Sequence, residues 1–217
     1  DISDPNIVFN IIEPNNVGYT GSWNLSDVNN KIIVGDGTTP LTFVINDPIT
    51  WSVKIDVKNN ATLKILNKQF PVLNNLDDGS TIDFAYPGTN ANTDQVSIPS
   101  RSFYNLTLTK GIKYLCSGAT GSQITVRNNF VADGASIEVY NDFLGARALN
   151  CFGDVSFLNG CRFDGLVNGG IKPMTLKMNG PGPVQRLITN GPWPVEFNYL
   201  MRDSAAACNI IVSPNTN

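Results

Sequence analysis

Three stretches of this chain repeat one short phrase. Asn60-Ala61-Thr62-Leu63-Lys64-Ile65, Gly79-Ser80-Thr81-Ile82-Asp83-Phe84 and Gly134-Ala135-Ser136-Ile137-Glu138-Val139 each run turn residue, two small residues, then apolar–charged–apolar. The spacings are 82 − 63 = 19 and 137 − 82 = 55. A coil of a β-solenoid takes roughly 20–30 residues, so these spacings predict one coil and then two to three. In such a stack small residues fit the corners, apolar side chains point inward as ladders, and the charge between them faces water. A longer phrase is also written twice, over 82–106 and 176–200. Ile82-Asp83-Phe84, Gly88 and Phe103-Tyr104-Asn105-Leu106 are answered by Leu176-Lys177-Met178, Gly182 and Phe197-Asn198-Tyr199-Leu200, at constant offsets of 182 − 88 = 94 and 197 − 103 = 94.

The rest of the chain keeps the same grammar. Ile32-Ile33-Val34, Leu41 to Ile45, Trp51 to Val57, Leu106-Thr107-Leu108 and Ile124-Thr125-Val126 are short apolar runs, many alternating with polar residues. Period two marks a strand with one buried face. Gly35-Asp36-Gly37, Asn59-Asn60, Asp77-Asp78-Gly79, Asn159-Gly160 and Asn168-Gly169-Gly170 supply the positive φ that tight turns need. No stretch of ten or more residues has convincing helical period. The reading is all-β: a right-handed parallel β-helix or β-solenoid, with residues 1–30 as an N-terminal cap or first strand pair and 31–217 as the stack. A β-sandwich is the alternative, since it too spaces short strands regularly, and Pro181, Pro183, Pro192 and Pro194 suit its loops.

Composition narrows function more by exclusion than by assertion. The 217 residues contain no His, which removes Ser-His-Asp and Cys-His triads and His-based zinc sites. Charged residues make up 15 % and the net charge is −3, so there is no basic stripe for nucleic acid. No apolar run approaches membrane-spanning length. The first residue is Asp1, which fits a processed secreted protein and an excised fragment alike. Scarce charge and abundant Asn and Thr point to an extracellular, cell-surface or virion setting.

Gly79 to Phe84, Phe103-Tyr104-Asn105-Leu106-Thr107-Leu108-Thr109, and Ile124-Thr125-Val126 leading into Asp133 to Val139 together resemble the β-strand-repeat segments of large secreted bacterial surface proteins and adhesins. The resemblance covers about residues 60–212, and Asn179-Gly180 takes the turn position in the second copy. It implies a repetitive extracellular solenoid acting in adhesion or as a surface scaffold, with no catalytic residues. The cysteines, the Pro-rich segment and the short length depart from that pattern. They leave room for a viral tail fibre, spike or capsid-decoration protein.

Candidate sites follow from residue chemistry. Asp77, Asp78 and Asp83 are hard oxygen ligands grouped near a turn and are the candidates for Ca²⁺, although Asp-Asp-Gly is also ordinary turn chemistry. Asp56, Asp83, Glu138, Asp154 and Asp164 are the carboxylates from which a glycan-cleaving pair would be drawn, but nothing sets any two at a fixed separation, and no enzyme is expected. Trp23, Trp51, Trp193, Tyr86, Tyr104 and Tyr140 form the aromatic set for stacking on sugars or on a protein partner. Trp193, between two prolines, and Tyr86 are the contact candidates. Cys151 and Cys161 are the candidate disulfide among Cys116, Cys151, Cys161 and Cys208, with small buried hydrophobes as the other reading. The expected partners are further copies of the chain, with a glycan or a host-surface receptor as the alternative, and a carbohydrate-binding module is the last functional class carried.

Overall fold

The computed structural model describes residues 8–12, 17–19, 29–46, 53–89, 94–117, 123–139, 147–164, 166–167, 170–171, 174–190, 199–201 and 209–214. It confirms a parallel β-solenoid: all regular structure in these residues is strand, and the long-range pairings are parallel. Parallel stacking rules out the antiparallel β-sandwich. The chain forms two compact units, Asp1–Tyr86 and Pro87–Asn217.

The first unit places two strands in each coil. They are β1 (Val8–Ile11), β2 (Val17–Tyr19), β3 (Lys31–Val34), β4 (Leu41–Ile45), β5 (Lys54–Val57), β6 (Ala61–Ile65), β7 (Val72–Leu76) and β8 (Thr81–Phe84). Odd strands stack as β1-β3-β5-β7 and even strands as β2-β4-β6-β8. Val8–Ile11 therefore pairs in register with the next coil rather than with Val17–Tyr19. Phe43, Leu63 and Ile82 are register partners and all lie in the core, as do Ile45, Ile65 and Phe84 beside them. Each such fully buried side chain contributes about 1.5–3 kcal/mol of transfer free energy.

The second unit places three strands in each coil. They are β9 (Val96–Pro99), β10 (Ser102–Phe103), β11 (Asn105–Thr109), β12 (Ile112–Ser117), β13 (Gln123–Val126), β14 (Phe130–Asp133), β15 (Ser136–Val139), β16 (Arg147–Cys151) and β17 (Val155–Leu158). β18 (Arg162–Asp164), β19 (Leu166–Val167), β20 (Gly170–Ile171), β21 (Met174–Met178), β22 (Val184–Thr189), β23 (Tyr199–Met201) and β24 (Asn209–Pro214) complete it. Three parallel faces result: β9-β12-β15-β18, β10-β13-β16-β21-β23 and β11-β14-β17-β22-β24. β19 and β20 pair antiparallel between β18 and β21, an insertion that lengthens its coil. Register partners Phe130 and Val155 are 155 − 130 = 25 residues apart, whereas Val155 and Leu187 are 187 − 155 = 32 apart.

The inward ladder Leu106, Phe130, Val155, Leu187 is buried throughout, and so is Phe103, Val126, Cys151, Met178. Among the described residues, one inward position is charged. Lys113 sits between Val96 and Ile137 in register, fully buried, with its ammonium donating to the Lys110 carbonyl.

The short and long sequence repeats fare differently. The 19-residue spacing is one coil, because Leu63 and Ile82 are direct register partners. The third copy is not on that face: Ile137 lies on β15, paired with β12 and β18. The 94-residue offset does not link equivalent positions. Ile82 lies on the even-strand sheet of the first unit, while Leu176 lies on β21 between β16 and β23. Coils of two and three strands have different lengths, so an offset summed over both kinds falls out of phase.

Candidate functional site

The corner between the β10-β13-β16 face and the β11-β14-β17 face is built by asparagines. Asn105, Asn129, Asp154 and Arg186 each precede one member of the Leu106, Phe130, Val155, Leu187 ladder, so they stack one above another. Asn105 Oδ1 accepts from the Asn129 backbone N–H at 3.2 Å and from Asn128 Nδ2 at 2.8 Å. Asn129 Oδ1 accepts from the Asp154 N–H at 3.1 Å, and Asp154 Oδ1 from the Arg186 N–H at 2.7 Å. Each of these side chains thus satisfies a backbone donor that the coil above presents beside the ladder. The Arg186 guanidinium closes the series 3.6 Å from the Asp154 carboxylate. Gly153 lies in this corner because a Cβ there would stand 2.4 Å from the Asn128 carbonyl oxygen.

Beside this ladder runs a second column. Phe103, Val126 and Cys151 are register partners, so the residues that follow them, Tyr104, Arg127 and Phe152, align at the strand ends. Backbone bonds fix the alignment: Arg127 N–H donates to the Phe103 carbonyl and Phe152 N–H to the Val126 carbonyl, both at 2.9 Å. The Arg127 guanidinium carbon lies 5.6 Å from the centre of the Tyr104 ring, a cation–π distance. Phe152 is 37 % exposed, unusual for a large apolar side chain here, and Arg127 is exposed. Sequence reasoning names Tyr104 and misses Arg127 and Phe152. Their signal is faint: each follows an inward apolar residue, at spacings of 127 − 104 = 23 and 152 − 127 = 25, one coil each.

The sequence-predicted carboxylates sit elsewhere and are engaged by neighbours. Asp77 pairs with Lys58 at 3.4 Å, and its carbonyl accepts from the Ser80 N–H at 3.1 Å as the turn closes. Asp83 faces its register partner Lys64 at 3.9 Å, and Asp78 is exposed at the turn. Among the described residues, no three His, Cys, Asp or Glu side chains are grouped to hold a metal ion, Asp77, Asp78 and Asp83 included. Asp36 accepts from the Thr38 and Thr39 N–H groups at 2.7 and 2.8 Å. Those backbone bonds, Thr39 foremost, hold its pKa down at about 2.

Asp56 is 2 % exposed. It pairs with Lys31 and accepts from Asn74 Nδ2 at 2.7 Å, the Asn75 N–H at 3.1 Å and Asn75 Nδ2 at 3.3 Å. A bulge in β7, where Leu73 and Leu76 face Ile55 and Val57, brings two asparagines against the one carboxylate. Burial pushes the Asp56 pKa up, but Lys31, Asn74 and Asn75 together outweigh it and hold the group below the usual range.

Cys151 and Cys161 are both buried and both free thiols. The disulfide candidate is corrected on geometry: Cys151 ends β16 in the Phe103–Met178 ladder, and Cys161 starts the corner into β18 on another face. Burial pushes both thiols up, Cys161 to about 12. Tyr86 is half-buried just after β8. Trp23, Trp51, Trp193, Tyr140 and the Cys208 position lie outside the described residues, and the side chains of Cys116, Glu138 and Asp164 are likewise not described.

What fold and surface define is the class: a parallel β-solenoid whose polar groups bridge its coils. Comparison with protein-family models, with curated proteins and with solved structures found no match to this chain. Among the described residues, no helix is long and apolar enough to cross a membrane.

Proposed function

We propose that the chain is a non-enzymatic structural or adhesive protein of an extracellular surface, one that associates with further copies of itself through solenoid ends or edges. The observation that carries this reading is the use of the carboxylates. Asp36, Asp56, Asp77, Asp83 and Asp154 each serve a turn, a buried pair or a bridge between coils. A chain that commits its acids to rigidity is suited to bearing load and presenting a fixed surface. The likeness of its strand phrases to adhesin repeat segments points the same way.

Self-association has a physical motive in the sheet β1-β3-β5-β7. Its two edge strands carry register-aligned valines, Val8 and Val72, each 49 % exposed, with Lys31 and Lys54 between them in the same column. Edge strands with exposed apolar side chains template further pairing. Light scattering of the purified chain over a wide concentration range tests the idea. Mass rising with concentration supports it, and a monomer throughout removes the assembly claim. A stable trimer would instead favour the viral fibre or spike.

A further inference from the structure

We propose that Asn60 is the acceptor of an N-linked oligosaccharide; the inference rests on the extracellular setting read above. The sequence offers Asn-x-Ser/Thr three times, at Asn24-Leu25-Ser26, Asn60-Ala61-Thr62 and Asn105-Leu106-Thr107. The pattern serves as an acceptor where the asparagine stands on the surface with room for a bulky group. The fold separates the copies. Asn24 lies outside the described residues. Asn105 is half-buried, and its Oδ1 accepts from Asn128 Nδ2 at 2.8 Å and from the Asn129 N–H at 3.2 Å. A sugar on its amide would crowd the corner ladder that these bonds hold.

Asn60 is exposed at the bend between β5 and β6, with φ of +60°. Asn is among the few L residues that adopt this conformation at small cost. Ala61 after it is buried, and Thr62 turns outward between its register partners Thr42 and Thr81. The Asn60 amide donates to the Thr38 carbonyl at 3.3 Å, and Thr38 is itself exposed. That bond uses one of two amide hydrogens, so the other can give way to a sugar without releasing the loop below. In the transfer, Nδ2 attacks the anomeric carbon of a polyprenyl-diphosphate oligosaccharide. A C–N bond forms, the C–O bond to the diphosphate breaks and its electron pair leaves with the diphosphate, and Nδ2 loses one proton. Val8, Lys31, Lys54 and Val72 align at the start of their strands, whereas Asn60 follows the end of β5. The acceptor thus stands at least one strand length, roughly 10 Å, from the valines of the association edges, so modification and assembly are separable.

The test is expression of the full chain behind a signal peptide in a eukaryotic host, with peptide mass mapping of the chain recovered from medium and cells. The peptide holding Asn60 is expected to carry a glycan and to lose it under peptide-N-glycosidase, which leaves Asp at the site. Thr62→Ala should abolish the glycan and Thr62→Ser should keep it, since both leave the Asn60 bend as it is. The glycosylated chain should melt within about 3 °C of Thr62→Ala, as expected for a group standing in solvent. A bare Asn60 in the recovered chain overturns the assignment. So does a glycan carried at Asn105 instead, or secretion that only Thr62→Ala achieves, because the folded bend would then not present the acceptor. A chain that assembles with Asn60 bare loses the acceptor and keeps the surface-scaffold reading. A glycosylated chain that stays monomeric at every concentration does the reverse.

Discussion

Gly153 shows how tightly single positions are held. A methyl group there meets the Asn128 carbonyl at 2.4 Å, and backbone cannot swing aside as a side-chain tip can. Gly153→Ala is expected to cost about 1–3 kcal/mol, read as a lowered urea midpoint with an unchanged slope. Gly79 is constrained twice, by φ of +88° and by Asn59 Oδ1 at 1.8 Å from a Cβ. Asn59 can rotate, so the backbone conformation is the harder obstacle. The two described thiols give a separate check. Cys151 and Cys161 are buried with raised pKa values, so neither offers thiolate at neutral pH. Peptide mapping after brief treatment with a thiol reagent at pH 8 should find both unmodified in the folded chain and both labelled in denaturant. Prompt labelling of either in the native state would mean that its coil opens.

Strands stack here through two sets of contacts, apolar within and amide without, and the two respond differently to truncation. Leu149 is fully buried between Ile124 and Leu176, so Leu149→Ala should cost about 2–5 kcal/mol. Asn129→Ala removes one acceptor from a partly wetted corner and should cost about 1 kcal/mol. Urea unfolding of the two variants measures the contrast, and equal losses would mean that the corner amides stabilise as much as the core. The apolar ladders were legible in the sequence because alternation exposes them, as in Leu63-Lys64-Ile65 over Ile82-Asp83-Phe84. The amide ladder was only half legible. Asn105, Asn129 and Asp154 announce turns, but which side chain meets which backbone N–H depends on coil lengths of 24 and 25 residues (130 − 106 and 155 − 130), known only once register is fixed. The same lack of register made the 94-residue offset look structural. It also hid Arg127 and Phe152, whose meaning comes from what lies one coil away.

For the molecule as a whole, stability should depend on acid in one direction only. A carboxylate whose pKa is lower folded than unfolded stabilises the fold above its unfolded value, and that stabilisation is lost as pH falls through the folded value. Asp36 is held at about 2 against an ordinary 3.8, and Asp56 is also held below its ordinary value. Both therefore favour the folded state at neutral pH, and Asp36 gives up its share between about pH 4 and about pH 2. No His is present to titrate between pH 5 and 8. The melting temperature followed by circular dichroism should be flat from pH 5 to 8 and should fall as pH drops below about 4. Asp56→Asn should lower it at pH 7, by the equivalent of about 1–3 kcal/mol for the weakened Lys31, Asn74 and Asn75 contacts, and should flatten part of the acid slope. If melting rose on acidification, relief of repulsion among the carboxylates would outweigh their pairing. The acids would then be a liability of the stack, and the argument that they rigidify it would fail at its base.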